Sequence, residues 1–206
     1  ELASGLVGAG RMAEPATIVK FIESHILEGL PLYQKKILIT AGPTYEAIDP
    51  VRFIGNHSSG KMGFEIAKAA SNLGAEVRLI TGPTHQKISS NLITVIPVVS
   101  AQEMYEQVHQ FYENCDIAIL SAAVADYKIK FISNQKIKKE EHSLTLELEK
   151  TQDILASLGK LKNNQLLVGF ALETDNEITN AIKKLKNKNL DLIVLNSLSD
   201  KGAGFG

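Results

Sequence analysis

Short apolar runs alternate with helix-like segments along most of this chain, and this alternation restricts its fold more than any other feature. Strands are predicted at 36–40, 76–81, 93–98, 116–121, 166–171 and 191–195, and helices at 61–73, 101–113, 153–161 and 176–188. The strand interiors are continuously apolar, as expected when both faces of a parallel sheet are covered. The sequence therefore predicts an α/β fold: a Rossmann-like, doubly wound and mostly parallel sheet flanked by helices.

Two segments depart from this pattern. Residues 144–149 alternate Leu with Thr or Glu, which predicts a half-exposed antiparallel strand. Residues 1–34 open with a glycine-rich stretch and continue into a helical pattern over 16–30, with Pro15 near its start. We interpret residues 1–34 as a linker and docking helix and residues 35–206 as the main domain. Because the chain begins with Glu1, we expect a fragment of a longer product.

Composition limits the possible partners. The 206 residues carry a net charge of −1, with 44% apolar and 22% charged residues, which is typical of a soluble globular protein. This balance creates no overall field for nucleic acid or anionic lipid. We expect no membrane span and no secretion signal, since no apolar segment fits either. The single cysteine, Cys115, excludes an internal disulfide, and a cytoplasmic location is expected.

The loop before the first helix of the main domain is a candidate anion site. The segment from Asn56 to Gly60 is small and polar, and the helix begins near Lys61. A helix N-terminus offers unpaired N–H groups and the positive end of a dipole. Ser58, Ser59 and Gly60 are therefore the predicted phosphate-binding residues. A purely structural glycine loop is the alternative.

Neither common nucleotide motif fits this loop. Gly55, Gly60 and Lys61 have the spacing of a P-loop, but Met62 stands where Ser or Thr would bind magnesium. The first strand is followed by residues 41–44, Ala-Gly-Pro-Thr, instead of the glycine fingerprint of dinucleotide-binding proteins. Phosphate binding is thus predicted without either motif.

Other candidate groups follow later strands, whose carboxyl ends should meet at one edge of the sheet. The small residues 121–125 can expose backbone groups to a base, and Asp126 can accept hydrogen bonds from ribose hydroxyls. The alternative is tight packing with Asp126 as a cap. No paired histidines and no cysteine cluster are present, so no transition-metal site is predicted.

Charged residues near this edge have both structural and functional interpretations. Lysines at 136, 138 and 139 lie in a polar excursion from 128 to 142, which is either solvated surface or a lysine-bearing flap over phosphates. Lys184 and Lys188 suit the end of a helix, where cations are favoured. Asp153 can cap a helix or bind a ligand, and Arg52 is a candidate anion clamp.

Motifs in this order closely resemble those of the phosphopantothenate–cysteine ligase domain, the synthetase half of bacterial bifunctional coenzyme A biosynthesis proteins. They occupy residues 39–44, 49–54, 56–63, 121–127, 136–139 and 169–174. Residues 1–15, with the run from Gly8 to Pro15, resemble the end of the preceding flavin-dependent decarboxylase domain. The resemblance implies that FMN belongs only to that missing domain.

The resemblance also implies a reaction. CTP activates the carboxylate of 4′-phosphopantothenate as an acyl-cytidylate and releases pyrophosphate. The amine of L-cysteine then attacks, giving 4′-phosphopantothenoylcysteine and CMP. Magnesium is implied, held mainly by the CTP phosphates, so no protein ligand is assigned. A homodimer of this domain within a larger oligomer of the full-length protein is also expected.

Site residues follow from the matching motifs. Lys136 is expected to assist cytidylate formation by neutralising phosphate charge, and Asn56 to hold the acyl-cytidylate and assist its conversion. Arg52 and Ala123 are expected on the phosphopantothenate side. The other expected CTP-binding residues are Leu120, Ser121 and Ala122, which contact cytosine through backbone groups, Asp126 at the ribose, and Gln152, Asp153, Ile154, Leu155, Phe170, Lys184 and Lys188.

Two features differ from the family pattern. Gln152 replaces a common Pro, and the chain ends at Gly206 where the family continues with further strands. The main alternative is a Rossmann-type nicotinamide-dependent oxidoreductase, which would lack its usual glycine fingerprint here. A non-catalytic nucleotide-binding module is a further alternative, and it requires the lysines of 136–139 to be solvated surface.

Overall fold

A six-stranded parallel sheet organises the fold. The computed structural model of the protein describes residues 12–138, 144–173 and 175–197. Its strands are β1 (Lys36–Ala41), β2 (Tyr45–Ala47), β3 (Phe53–Gly55), β4 (Glu76–Thr81), β5 (Ile93–Pro97), β6 (Ile117–Leu120), β7 (Tyr127–Ile129), β8 (Leu148–Lys150), β9 (Leu166–Glu173) and β10 (Leu192–Ser197). Its helices are α1 (Pro15–Glu28), α2 (Lys61–Asn72), α3 (Ala101–Tyr112), α4 (Ile154–Leu161) and α5 (Glu177–Asn187).

The strand order creates a crevice at the middle of the sheet. The order is β10-β9-β6-β1-β4-β5, and every neighbouring pair is parallel. The chain first builds outward from β1 to β4 and β5, then returns to build β6, β9 and β10 on the other side. The loops after β1 and β6 therefore diverge at the reversal of strand order, where ligands bind in doubly wound sheets.

Both faces of the sheet are covered. Leu38 of β1 packs in one cluster with Met104 of α3 and Leu158 of α4. Ile39, the next residue, packs in a second cluster with Phe64 of α2. Because successive side chains of a strand point to opposite faces, burial on both sides explains the continuously apolar strand sequences.

The predicted α/β fold is confirmed. Each strand and helix predicted for the main sheet is present, and its ends differ from the prediction by at most two residues. The antiparallel strand differs more, because β8 spans only 148–150 and pairs with β7, whereas alternation predicted 144–149. The sequence also gave no signal for the antiparallel pair β2 and β3.

The N-terminal helix stands apart from this core. In α1, the side chains of Val19 and Phe21 are exposed, and the helix contains no buried residue. Its role as a docking helix remains a prediction. The glycine-rich start of the linker, Lys139, Thr174 and the terminal segment 198–206 lie outside the described residues. Over the described ranges, no helix combines the length and apolar character required to cross a membrane.

Candidate active site at the carboxyl edge of the sheet

Two cavities open side by side at the carboxyl edge of the sheet. The first has a volume of about 480 Å³ and the second about 390 Å³. Ala122, in the loop after β6, and Phe170, in β9, line both cavities. Ligands in the two cavities would therefore be neighbours across a shared wall.

The first cavity brings together most of the residues expected to bind a nucleotide. The members of that set in its lining are Leu120, Ala122, Asp126, Gln152, Asp153, Ile154, Leu155, Phe170, Lys184 and Lys188. They come from four separate segments of the chain, and β6, β9, the start of α4 and the end of α5 bring them to one place. Ser121 is the exception, because it lines the second cavity instead.

Buried threonines fix the backbone after β6. The hydroxyl of Ser121 donates to the carbonyl of Thr40 at 2.6 Å, and the N–H of Ala122 donates to Oγ1 of Thr40 at 3.2 Å. Further along, the N–H of Ala125 donates to Oγ1 of Thr44 at 2.9 Å. These N–H groups are occupied, so a base at this edge would contact carbonyl oxygens at the positions of Ser121 and Ala122.

Two lysines of the first cavity are held by hydrogen bonds. Nζ of Lys188 lies 2.7 Å from Oδ2 of Asp153, and Nζ of Lys184 donates to the carbonyl of Phe170 at 2.6 Å. Oδ1 of Asp153 accepts from the N–H of Ala156 at 2.9 Å, which caps α4. Burial alone would raise the pKa of Asp153, but the hydrogen bonds from Lys188 and Ala156 outweigh it and lower the pKa.

The second cavity surrounds the N-terminus of α2. Its lining includes the run from His57 to Gly63, which contains the predicted phosphate-binding residues. The N–H groups of Gly60 and Lys61 make long contacts of 3.3 and 3.4 Å to the hydroxyls of Ser58 and Ser59. Within the described residues, the N–H groups of Met62 and Gly63 make no hydrogen bond. This is the arrangement that favours an anion.

Glycines at two positions allow this geometry. Gly60 precedes α2 with φ of 76°, a left-handed conformation that glycine adopts without a steric penalty. At Gly63, a Cβ would lie 2.5 Å from Cβ of Ala41 and 2.8 Å from Oγ of Ser121. Only glycine therefore lets the first turn of α2 approach β1 and the loop after β6 this closely.

Asn56 lies at the junction of the two cavities without lining either. It directly follows β3, and its Nδ2 donates to the carbonyl of Val124 at 2.9 Å, with the carbonyl of Ala123 at 3.5 Å. Val124 lines the first cavity and Ala123 the second. The amide of Asn56 is thus fixed between the sites where two ligands would meet.

Lys136 and Arg52 lie outside both cavities. The side chain of Lys136 is exposed. The guanidinium of Arg52 donates through Nε and Nη2 to Oδ2 of Asp49, and Nη2 also donates to the carbonyl of Ile137 at 3.0 Å. The side chain of Arg52 therefore contacts the backbone of the segment that carries Lys136 and Lys138, called the lysine segment below. The sequence did not predict this contact.

Sequence reasoning missed several residues of the first cavity. Its additional lining residues are Thr40, Val124, Tyr127, Lys150 and Thr151. Thr151 supports the loop after β6, since its hydroxyl donates to the carbonyl of Ala125 at 2.7 Å and its N–H to the carbonyl of Asp126 at 2.9 Å. Its position directly before Gln152 was the available signal.

Among the side chains that the structure describes, no three His, Cys, Asp or Glu residues are grouped so as to hold a metal ion. Near the first cavity, Asp153 is paired with Lys188, whereas Asp126 is exposed. This donor set fits a magnesium ion whose ligands come mostly from a triphosphate and water. The expectation that CTP phosphates hold the ion remains a prediction.

Comparison with known proteins places these features in a family. Residues 32–206 match the DNA/pantothenate metabolism flavoprotein C-terminal domain. The coenzyme A biosynthesis bifunctional protein CoaBC of Bacillus subtilis (strain 168) is 52% identical over 207 residues, which cover 100% of this chain and 51% of that protein. A protein of an unknown prokaryotic organism, named cysteine/cysteine sulfinic acid decarboxylase, is 56% identical over 211 residues, covering 100% of this chain and 59% of that protein.

A solved structure agrees with these relatives. The crystal structure of the C-terminal domain of coenzyme A biosynthesis bifunctional protein CoaBC is 52% identical, with a TM-score of 0.72, and the match covers 80% of this chain and 78% of that one. The chain spans about half the length of the curated relatives it matches. Sequence and fold together show that this chain belongs to the family of DNA/pantothenate metabolism flavoprotein C-terminal domains.

Proposed function

We propose that this domain joins 4′-phosphopantothenate to L-cysteine with CTP, through an acyl-cytidylate, and so performs the ligase step of coenzyme A biosynthesis. The observation that carries the proposal is the shared wall of Ala122 and Phe170 between the two cavities. Because the two cavities adjoin at these residues, the α-phosphate of a nucleotide in one and the carboxylate of a second substrate in the other can approach each other. The relationship to CoaBC proteins supports this choice of substrates.

CTP occupies the first cavity in this proposal. Carbonyl oxygens of the segment from Leu120 to Ala122 accept hydrogen bonds from the exocyclic amine of cytosine, and Asp126 accepts from ribose hydroxyls. Lys184 and Lys188, which line the same cavity, lie where they can neutralise phosphate charge. The cavity volume of about 480 Å³ is in the range of small-molecule sites.

Phosphopantothenate occupies the second cavity, with its phosphate at the N-terminus of α2. The N–H groups of Met62 and Gly63 and the hydroxyls of Ser58 and Ser59 supply donors for that phosphate. The pantothenate chain then extends toward Ala123, which lines the same cavity. Its carboxylate reaches the shared wall, where it meets the α-phosphate of CTP and is activated.

The proposed reaction has two steps, formation of the acyl-cytidylate and its attack by cysteine. A carboxylate oxygen attacks the α-phosphorus of CTP, the bond to the β-phosphate oxygen breaks, and pyrophosphate leaves. The amine of cysteine then attacks the acyl carbon, loses a proton, and CMP leaves with the bonding electrons. Lys136 stabilises the negative charge on the phosphates in the first step. The amide of Asn56 holds the acyl-cytidylate for the second.

Two cofactor expectations accompany the proposal. Magnesium, when bound with CTP, would neutralise phosphate oxygens and make pyrophosphate a better leaving group. FMN is expected only on the decarboxylase domain of a longer protein, in agreement with the flavoprotein name of the family. A homodimer of this domain, a larger oligomer of the full-length protein and a cytoplasmic location also remain predictions.

One assay separates this proposal from its alternatives. The protein is incubated with 4′-phosphopantothenate, L-cysteine and one of CTP, ATP, GTP or UTP, and pyrophosphate is followed with and without phosphopantothenate. The proposal expects release with CTP that requires phosphopantothenate. Oxidation or reduction of a nicotinamide cofactor would support the oxidoreductase instead, and nucleotide binding without turnover would support a binding module.

A further inference from the structure

We propose that the Asp49–Arg52 pair is a positioning pair for Lys136, and that it acts on the first step of the reaction by holding the lysine segment. The proposal rests on the function proposed above. Its basis is Ile137, the residue after Lys136. The N–H of Ile137 donates to Oδ2 of Asp49 at 3.1 Å, and its carbonyl accepts from Nη2 of Arg52 at 3.0 Å.

The pair is itself rigidly held. The carboxylate of Asp49 is fully buried, and Oδ1 accepts from the N–H groups of Val51 and Arg52, each at 2.9 Å. Oδ2 accepts from Nε of Arg52 at 3.0 Å and from Nη2. A buried carboxylate with this many donors is stable only in its charged form, and the hydrogen bond from Arg52 holds the pKa of Asp49 well below its usual range.

The pair attaches the lysine segment at more than one point. Both polar backbone groups of Ile137 are bound, so its peptide orientation is fixed. A second connection lies just upstream, where the N–H of Ser133 donates to the carbonyl of Ile48 at 3.1 Å. The backbone on which Lys136 is carried is therefore tied to the turn between β2 and β3.

That turn also leads to Asn56. Arg52 directly precedes β3, which spans only 53–55, and Asn56 directly follows it. One short strand thus separates the residue that holds the lysine segment from the residue bound to the carbonyl of Val124. Because Asn56 has this contact of its own, releasing the lysine segment from the pair should leave the amide of Asn56 in place.

The chemistry of the contact requires an arginine and a carboxylate. Nη2 of Arg52 donates to both Oδ2 of Asp49 and the carbonyl of Ile137, and a second hydrogen bond from Nε to Oδ2 of Asp49 fixes the orientation of the guanidinium. A lysine has one nitrogen on a flexible stem and cannot reproduce this geometry. An asparagine at position 49 retains the size of the side chain but loses the charge that binds the guanidinium.

The test compares Asp49→Asn, Lys136→Ala and the double variant in single-turnover reactions with CTP and phosphopantothenate. Because misplacement by about 1 Å can cost on the order of a hundredfold, we expect Asp49→Asn to slow pyrophosphate release at least tenfold. Attack of cysteine on preformed acyl-cytidylate should change less than about twofold. The double variant should release pyrophosphate no more slowly than Lys136→Ala alone, because the pair acts through that lysine.

Hydrogen exchange gives a second readout that needs no activity. The amide of Ile137 should exchange faster in Asp49→Asn than in the wild type, while amides of β1 stay unchanged. The matched control is Glu149→Gln, which removes an exposed ion pair with Lys128, 3.2 Å long, from the neighbouring β7–β8 ribbon. It should leave both pyrophosphate release and Ile137 exchange at wild-type values.

The outcomes separate failure of this proposal from failure of the function. Absence of nucleotide-dependent pyrophosphate release in the wild type would overturn the function and this proposal with it. With an active wild type, three results would overturn only the positioning pair: equal loss in both steps, multiplicative losses in the double variant, or unchanged exchange at Ile137.

Discussion

Lys188 at the end of α5 and Asp153 at the start of α4 are joined by an ion pair of 2.7 Å across one side of the first cavity. The pair links α4, which follows β8 of the antiparallel ribbon, to α5, which follows β9 of the main sheet. It also places an ammonium group in the cavity lining while the aspartate caps α4. A structural contact and a proposed binding contact therefore share one lysine.

We predict that Lys188→Met weakens CTP binding. A charge-assisted contact to phosphate contributes about 1.5–3 kcal/mol, so KM for CTP should rise roughly tenfold or more. The measurement is the initial rate of pyrophosphate release against CTP concentration. The control is Lys162→Met, whose lysine pairs with Asp191 at 3.0 Å outside the cavity lining. Equal KM changes in the two variants would contradict the assignment of Lys188.

Replacing Gly63 by alanine should destabilise the protein. The added Cβ would lie 2.5 Å from Cβ of Ala41, so α2 would be forced away from β1. Overpacking of this kind costs about 1–3 kcal/mol, which urea denaturation can measure. Gly29→Ala is the matched control, because its Cβ would meet only the carbonyl of Ile26, at 3.5 Å. A stable Gly63→Ala variant would show that α2 can shift without cost.

Acid should weaken the fold through Asp49. Its pKa is lowered in the folded state, chiefly by the hydrogen bond from Arg52, whereas an unfolded aspartate titrates near 4. The contribution to stability is therefore fully present above about pH 4 and is lost as the pH falls from there toward the folded-state pKa. Urea unfolding between pH 6 and pH 2 should show a shallower decline for Asp49→Asn than for the wild type. Parallel curves would refute this linkage.

Cys115 should resist alkylation in the folded protein. Burial, followed by the nearby charge of Asp116, raises the pKa of the thiol to about 12, and only the thiolate reacts rapidly. Mass spectrometry after iodoacetamide at pH 8 should find this cysteine largely unmodified, and denaturation in urea should make it react. Rapid modification without urea would show that the site opens in the native state.

The sequence was sufficient for the sheet and for most of the first cavity. Continuous apolar strands imply burial on both faces, and the carboxyl ends of parallel strands must meet at one edge. That geometry brings Phe170 close to the loop after β6, whereas Lys188 was expected there only from the resemblance to the ligase family. The helices α4 and α5 were predicted from a different signal, the helical spacing of their apolar residues.

The supporting contacts could not be predicted in this way. Asp49 and Ile137 are 88 residues apart, and their hydrogen bond leaves no trace in local periodicity. Thr44 and Ala125 are joined across 81 residues by a single hydroxyl. Short three-residue strands such as β3 also lack enough length to show alternation. Such contacts depend on the assembled fold, so sequence patterns alone give no account of them.

The shared wall between the cavities has a consequence for inhibitor design. A single compound with a cytidine-like group at one end and an anionic pantothenate-like group at the other would occupy both spaces past Ala122 and Phe170. Covalent linkage makes the second contact intramolecular, so such a compound should bind more tightly than a mixture of its halves.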